Sequence, residues 1–190
     1  FAKAARPTVD TKPRTVLELA GKNVYIKDNC MSCHSQLIRP FKSETDRYGD
    51  YSLSGEYAYD RPFLWGSKRT GPDLHRVGNY RTTDWHENHM LNPAEIVPGS
   101  IMPAYKHQFT NLADIETAYA EAVTVKNAFH TPYGPEFKRT RAAWEAHKPK
   151  VLADAKAIAD DMKNKDVKEA VANGQVPEIV ALIAYLNSLK

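Results

Sequence analysis

The chain is poor in cysteine. Its 190 residues contain two, Cys30 and Cys33. Two cysteines are too few for a disulfide scaffold, and they cannot supply all the thiolates that an iron–sulfur cluster needs. A structural zinc site normally has a second Cys/His pair at similar spacing, and the sequence offers none. The short separation of the two cysteines therefore indicates that both belong to one local site.

Long apolar runs and a strong charge excess are also missing. No run of roughly 18 apolar residues occurs, so nothing in this sequence is predicted to span a membrane. The 26 basic and 23 acidic residues leave a net charge of +3, which gives no reason to expect nucleic acid as a partner. The length suits one domain that buries a substantial core.

The two cysteines belong to the segment CMSCH at residues 30–34. Cysteines three positions apart lie one helical turn apart, and His34 follows on the same side. This spacing lets two thiols add to the vinyl groups of a haem while the imidazole reaches the iron. A thioredoxin-type pair would follow a strand, whereas an apparent helix precedes this one. We expect one covalently bound haem c; the alternative is a redox or structural cysteine pair.

A haem iron held by His34 leaves a sixth position. Met102 lies in the stiff segment PGSIMPAY, between Ile101 and Pro103, and such a loop cannot easily withdraw a weak thioether ligand. We therefore favour Met102 as the second iron ligand, with a simple core contact as the alternative. The remaining methionines and four histidines are poorer candidates: Met31, Met90, Met162, His75, His86, His89 and His107.

Residues 70–74, TGPDL, are a further candidate part of the site. A Gly-Pro pair alone commonly marks a plain turn. Near a haem, however, the iron-bound histidine needs its other ring nitrogen tied to an acceptor, and the carbonyl of Pro72 could serve. Both interpretations of Pro72 stay open at this point.

The apolar pattern predicts an all-helical chain. Residues 1–14 mix proline with basic residues and indicate an extended linker ahead of a domain at 15–190. Asp84 is the expected N-cap of a short helix, Pro149 an expected break, and Pro177 the expected first residue of the last helix. The predicted helices are 15–28, 84–91, 111–127, most of 136–173, and the C-terminal segment carrying Ile179, Leu182, Ile183, Leu186 and Leu189.

Residues 35–70 lack sustained periodicity but contain seven aromatic residues, more than a solvated linker would tolerate. We expect an ordered loop. Its aromatic and basic residues could dock a partner or simply pack, and Trp85 could likewise contact a haem propionate or fill the core. The basic residues in question are Arg39, Arg61, Lys68 and Arg69.

The order of these features resembles a class I cytochrome c: a helix into CMSCH, then TGPDL, a short helix, a methionine loop and an apolar last helix. The resemblance implies that the first and last helices cross. It covers about half of the chain. Two excursions, about 35–70 and 106–175, are additions that a small diffusible cytochrome would lack.

The stretch from YIKDNCMSCHSQ to TGPDLHRVG, followed by DWHENHMLNPAEIVPGSIMPAY, closely resembles the mono-haem subunit of cbb3-type cytochrome c oxidases. This resemblance spans residues 24–105. It implies a haem on Cys30 and Cys33, with His34 and Met102 as axial ligands. It also implies an N-terminal membrane anchor, and none is present here, so either the chain is a soluble fragment or the anchor lies upstream of Phe1.

The resemblance further implies a non-catalytic electron-transfer subunit. It would pass electrons from a cytochrome c donor, or a further c-type cytochrome subunit, towards the haem–copper catalytic subunit. Covalent haem attachment places it on the periplasmic face of the bacterial inner membrane. The alternatives are another c-type carrier, such as a nitric oxide reductase small subunit, and a haem enzyme or sensor with an open sixth site.

Overall fold

The computed structural model describes residues 7, 8 and 10–190, and within them every regular element is helical. The α-helices are α1 Val16–Lys27, α2 Lys42–Tyr48, α3 Thr83–Leu91, α4 Pro93–Ile96, α5 Ile115–Phe129, α6 Arg141–Asp160, α7 Lys165–Ala172 and α8 Glu178–Asn187. The predicted all-α class is therefore confirmed. Of the predicted linker at 1–14, residues 1–6 and 9 lie outside the described part. None of the described helices has the length and apolar character needed to cross a membrane.

The first and last helices cross in direct backbone contact. A Cβ atom on Gly21 of α1 would lie 2.5 Å from the carbonyl carbon of Ala181 in α8 and would overlap its oxygen. Because only glycine lacks that atom, the two helix axes can approach this closely. Tyr25 and Tyr185 pack edge to face beside the crossing, with ring centroids 5.4 Å apart. The crossing agrees with the expected cytochrome c arrangement.

Both crossing helices begin close to their predicted positions. Thr15 caps α1 through a reciprocal pair of hydrogen bonds with Glu18, as a capping box requires. The last helix begins one residue later than predicted, because Pro177 is its N-cap with an extended backbone and Glu178 is its first helical residue. Its predicted apolar residues are all buried.

The short helix α3 does not use Asp84 as its N-cap, so that prediction is wrong. Thr82 takes the position, because its hydroxyl accepts a hydrogen bond from the amide of Trp85 at 3.2 Å. Asp84 instead lies in the first helical turn. Glu87 is buried and accepts hydrogen bonds from the amides of Lys163 and Asn164, at 2.8 and 2.7 Å.

The predicted break at Pro149 is also wrong, because α6 runs through it. A proline inside a helix loses one backbone hydrogen bond. Pro149 is exposed, whereas Trp144, Val151 and Ala155 on the same helix are buried in the core shared with α1 and α8. Apolar burial on both sides of the proline therefore holds one continuous helix. The chain turns later, where Asn164 caps α7.

The aromatic segment at 35–70 is more regular than its sequence suggests, because it contains helix α2. Tyr48 and Tyr57 are buried, while Phe41 and Tyr51 are half-exposed. The segment therefore contributes to the core and also presents aromatic rings to solvent.

Candidate haem site

The CMSCH segment follows α1 directly as a tight helical turn. Cys30–Ser32 forms one 3₁₀ turn, and the amides of Cys33 and His34 both donate to the carbonyl of Cys30, at 3.2 and 3.0 Å. Asn29 reverses the chain ahead of it with φ +57°. Both cysteines are free thiols; Cys30 is half-buried and Cys33 exposed. The predicted one-turn spacing is present.

His34 is tied to the TGPDL segment. Its Nδ1 lies 2.7 Å from the carbonyl oxygen of Pro72, which is the contact expected for an iron-bound histidine. Burial lowers the pKa of His34, and the hydrogen bond to Pro72 acts in the opposite direction. A neutral imidazole with Nδ1 occupied has Nε2 left as its metal-binding atom.

The backbone of Gly71 packs against the imidazole ring of His34. A Cβ atom there would lie 2.7 Å from Nδ1 and 2.8 Å from Nε2 of the imidazole, so the ring lies flat against the backbone. The Gly71 amide donates to the carbonyl of Cys33 at 3.0 Å, and the Leu74 amide donates to that of Ser35 at 2.9 Å. These backbone bonds hold the two segments side by side.

Asp73 is a supporting residue that sequence reasoning missed. It is fully buried, and Oδ2 accepts hydrogen bonds from the Ser35 hydroxyl at 2.7 Å and the Leu37 amide at 2.8 Å. Oδ1 accepts from the amide of His75 at 2.8 Å. The carboxylate therefore fixes the chain on both sides of the His34–Pro72 contact. Its position directly after Pro72 was the available sequence signal for a role at this site, but the sequence did not indicate which groups its carboxylate would bind.

Met102 lies in the loop between α4 and the 3₁₀ turn Lys106–Phe109, half-buried and packed against the core. Its amide donates a hydrogen bond to the hydroxyl oxygen of Ser100 at 3.2 Å. The Tyr105 amide donates to the carbonyl of Met90 at 2.9 Å and so ties this loop to α3. The other methionine of the region, Met90, is a core residue.

Two histidines of α3 are more buried than expected from the sequence. His86 is almost fully buried and His89 half-buried, and the Nε2 of His86 and the Nδ1 of His89 have no hydrogen-bond partner. Burial lowers the pKa of each to about 4. Both imidazoles are therefore neutral near pH 7. His89 stacks on Trp85, with ring centroids 4.4 Å apart, and Arg81 covers Trp85 at 4.2 Å.

Three of the four basic residues considered for docking, Arg39, Arg61 and Arg69, already contact other groups of the chain. Arg39 and Arg69 both bind the buried carboxylate of Glu44. The guanidinium of Arg61 contacts the ring of Phe129 at 4.9 Å and the carbonyl of Asp60 at 2.5 Å. Docking and propionate contacts by these residues stay predictions.

The donor set fits a covalently held haem. Two free thiols lie one turn apart, and an adjacent imidazole is anchored through Nδ1. A thioredoxin-type site would follow a strand, whereas a helix precedes this pair. A zinc site would need further ligands nearby. Within the described residues, the candidate metal cluster is Asp28, His107 and Glu178, which includes neither cysteine.

The fold and the site together define a cytochrome c-like class of protein. The chain is all-helical, its first and last helices cross, and the histidine of its CMSCH motif is held by a backbone carbonyl. A family model described as the mono-haem subunit of cytochrome c oxidase, FixO, matches residues 1–190. The chain belongs to this family. Membership implies one haem, a role in electron transport and a catalytic oxidase subunit as partner. The match favours the oxidase over a nitric oxide reductase. Comparison with curated proteins returned no match.

Proposed function

We propose that the chain relays single electrons from a c-type cytochrome donor to the haem–copper catalytic subunit of its oxidase. The observation that carries this proposal is the 2.7 Å contact between His34 and Pro72, in a chain of the mono-haem oxidase family. The contact orients one imidazole nitrogen for a metal, which is the requirement of an axial haem ligand.

Each residue of the site has a distinct task. Cys30 and Cys33 would hold a haem by thioether bonds, and His34, through Nε2, and Met102 would supply the two protein ligands of its iron. A bound haem supplies the one-electron couple between ferrous and ferric iron. The protein would contribute attachment and orientation, and ligation by both His34 and Met102 would leave the iron no open site for oxygen.

An exposed apolar surface beside Met102 suits the partner contact. Ile101 is 82% exposed, and Val97 and Leu91 are 45% and 38% exposed. Large apolar side chains clustered at a surface commonly mark an interaction site. We assign Ile101 to the docking surface for a redox partner, because it is exposed and directly precedes the proposed iron ligand in the chain.

The proposed location follows from the covalent attachment, which takes place outside the bacterial cytoplasm. We place the domain at 15–190 on the periplasmic face of the inner membrane. The excursions at 35–70 and 106–175 are elaborations of this one domain, since residues from both are buried in its core.

The test uses the assembled oxidase complex. Oxygen consumption driven by reduced cytochrome c is compared for wild type, Met102→Leu and Met90→Leu, after haem content and subunit composition are shown to be equal. Met102→Leu should slow turnover at least about tenfold, since loss of the thioether alters the iron's ligation and potential, while Met90→Leu should not. Undiminished turnover in Met102→Leu would contradict the relay. Carbon monoxide binding by the reduced wild-type subunit would favour an open-site enzyme or sensor.

A further inference from the structure

A second group of potential metal ligands lies where three elements meet. Asp28 is the C-cap of α1, His107 lies in the 3₁₀ turn Lys106–Phe109, and Glu178 is the first residue of α8. One ligand atom from each lies within 4.8 Å of the others. The Nε2 of His107 is 3.0 Å from Oδ2 of Asp28. The three residues are distant in sequence, so only the fold brings them together.

Two buried oxygen atoms at this group accept no hydrogen bond: Oε2 of Glu178 and Oε1 of Gln108. Gln108 is fully buried, and its Nε2 donates to Asp28 at 2.6 Å, which places the amide head at the group. Glu178 is 6% exposed. A buried polar atom without a partner is destabilising, so two of them at one place indicate a position that a ligand would satisfy.

The charge of the group also favours a cation. Lys27 pairs with Oε1 of Glu178 and lies 3.9 Å from Oδ1 of Asp28. One ammonium group faces two carboxylates, so a negative charge remains. The side chain of Lys27 is 48% exposed and can swing into solvent. His107 is also partly exposed, with 42% of its side chain accessible, and gives a path from solvent.

The backbone around the group is already rigid. The amide of Glu178 donates to the carbonyl of Asn111 at 2.8 Å, and the amide of Ala113 donates to that of Val176 at 2.8 Å. These bonds tie the start of α8 to the segment after His107. Ligands held on such a frame lose little freedom when an ion binds.

We propose that Asp28, His107 and Glu178 form a binding site for a divalent transition metal of the Zn²⁺ type. One imidazole nitrogen with carboxylate oxygens is a donor set that suits Zn²⁺. The side-chain amide of Gln108 borders the site through its hydrogen bond to Asp28. The site shares no residue with the CMSCH motif, so it stands or fails independently of the haem.

The first test is calorimetric titration of ZnCl₂ into the untagged, haem-loaded protein after chelator treatment. Wild type should bind about one equivalent, and His107→Ala and Glu178→Gln should each weaken binding at least about tenfold. His130→Asn is the matched control: His130 is exposed, and asparagine tolerates its φ of +55°. Absence of binding, or equal binding by all variants, would overturn the proposal.

Lys27→Met gives a second test, in which Zn²⁺ affinity should rise rather than fall. Removal of the competing ammonium should tighten Zn²⁺ binding by several-fold, about 3- to 10-fold, because both carboxylates become free for the ion. If wild type binds no Zn²⁺ and only Lys27→Met does, Lys27 is the natural and sufficient partner of Glu178, and the proposal fails. Thermal unfolding provides a readout independent of calorimetry: Zn²⁺ should raise the Tm of wild type and of Lys27→Met, but not of His107→Ala.

Discussion

Gly71 lies flat against the imidazole of His34, with no room for a side-chain carbon between them. The ring is thereby fixed on one side by backbone, while its Nδ1 is held by the carbonyl of the next residue, Pro72. A short, locally encoded loop thus sets the orientation of the proposed iron ligand.

Gly71→Ala should displace His34. The added methyl group overlaps the ring, and overpacking of this kind destabilises by about 1–3 kcal/mol. We expect less haem per protein and a larger high-spin fraction in the optical spectrum, together with a lower urea midpoint. Thr70→Ala, at the exposed neighbouring position, is the control and should resemble wild type. A normal low-spin spectrum in Gly71→Ala would contradict the assigned role of this glycine.

Met102→Leu should remove the weak sulfur-to-iron absorption band in the far red while leaving the fold intact, because leucine has similar volume and no sulfur. Met90→Leu is the matched control, since Met90 is a buried core residue on the adjacent helix. Spectra of the oxidised proteins decide the matter. Persistence of the band in Met102→Leu would show that another residue is the ligand.

Gly21→Ala should destabilise the fold by about 1–3 kcal/mol through overpacking at the helix crossing. The direction of the change in stability is informative, because replacing glycine by alanine inside an exposed helix normally stabilises the protein by up to about 1 kcal/mol. Urea unfolding measures the difference. Adding Ala181→Gly should not rescue the variant, since the clash is with the backbone carbonyl of Ala181. A rescue would place the conflict in the side chain instead.

The acid stability of the protein should depend on Glu44. Burial alone would raise the pKa of Glu44, but hydrogen bonds from Arg69 and Arg39 outweigh it and lower the pKa from 4.5 to about 2. A folded-state pKa below the ordinary value contributes stability that is complete above the ordinary pKa and is lost as the pH falls. The loss should therefore occupy the interval between pH 4.5 and about 2.

Glu44→Gln should flatten the decline of Tm with acidity in this interval and lower Tm near pH 7. Asp46→Asn removes an exposed carboxylate from the same helix, with 62% of its side chain accessible, and should leave the profile close to that of wild type. A Glu44→Gln profile parallel to wild type would contradict the assigned role of the ion pairs.

Glu87→Ala should remove the hydrogen bonds that join helix α3 to the connection between α6 and α7. The carboxylate accepts hydrogen bonds from the amides of Lys163 and Asn164, and hydrogen bonds to a charged group contribute about 1.5–3 kcal/mol. We expect destabilisation of that size by urea unfolding, with faster hydrogen exchange at Lys163 and Asn164. Exposed Glu95 provides the control as Glu95→Ala. Unchanged exchange at both amides would contradict this link.

The sequence by itself determined the features that one or two helical turns contain. The spacing of Cys30, Cys33 and His34 places three chemical groups together in almost any helical turn. The apolar stripe of α8 is equally local, because residues close in sequence supply it. The TGPDL segment could be singled out from sequence as a candidate partner of His34, but Pro72 lies 38 positions further along the chain, so only the fold shows the contact. The all-helical class followed from the same short-range signals, whereas the crossing of the end helices was expected from the resemblance to a class I cytochrome c.

Tertiary structure alone decided the features whose partners are distant in the chain. Asp84 and Thr82 are both good caps, and the hydroxyl of Thr82 prevailed because Glu87 and Asp84 contact the connection after α6. Pro149 did not end α6, because core burial on either side outweighed one lost hydrogen bond.

The same limit applies to both sites. The partners of Asp73 and the group formed by Asp28, His107 and Glu178 depend on contacts between segments far apart in sequence. Local propensity carries no information about which of many buried polar residues will meet. The packing of α1 against α8, which the glycine at position 21 permits, brings Asp28 and Glu178 within reach of one another.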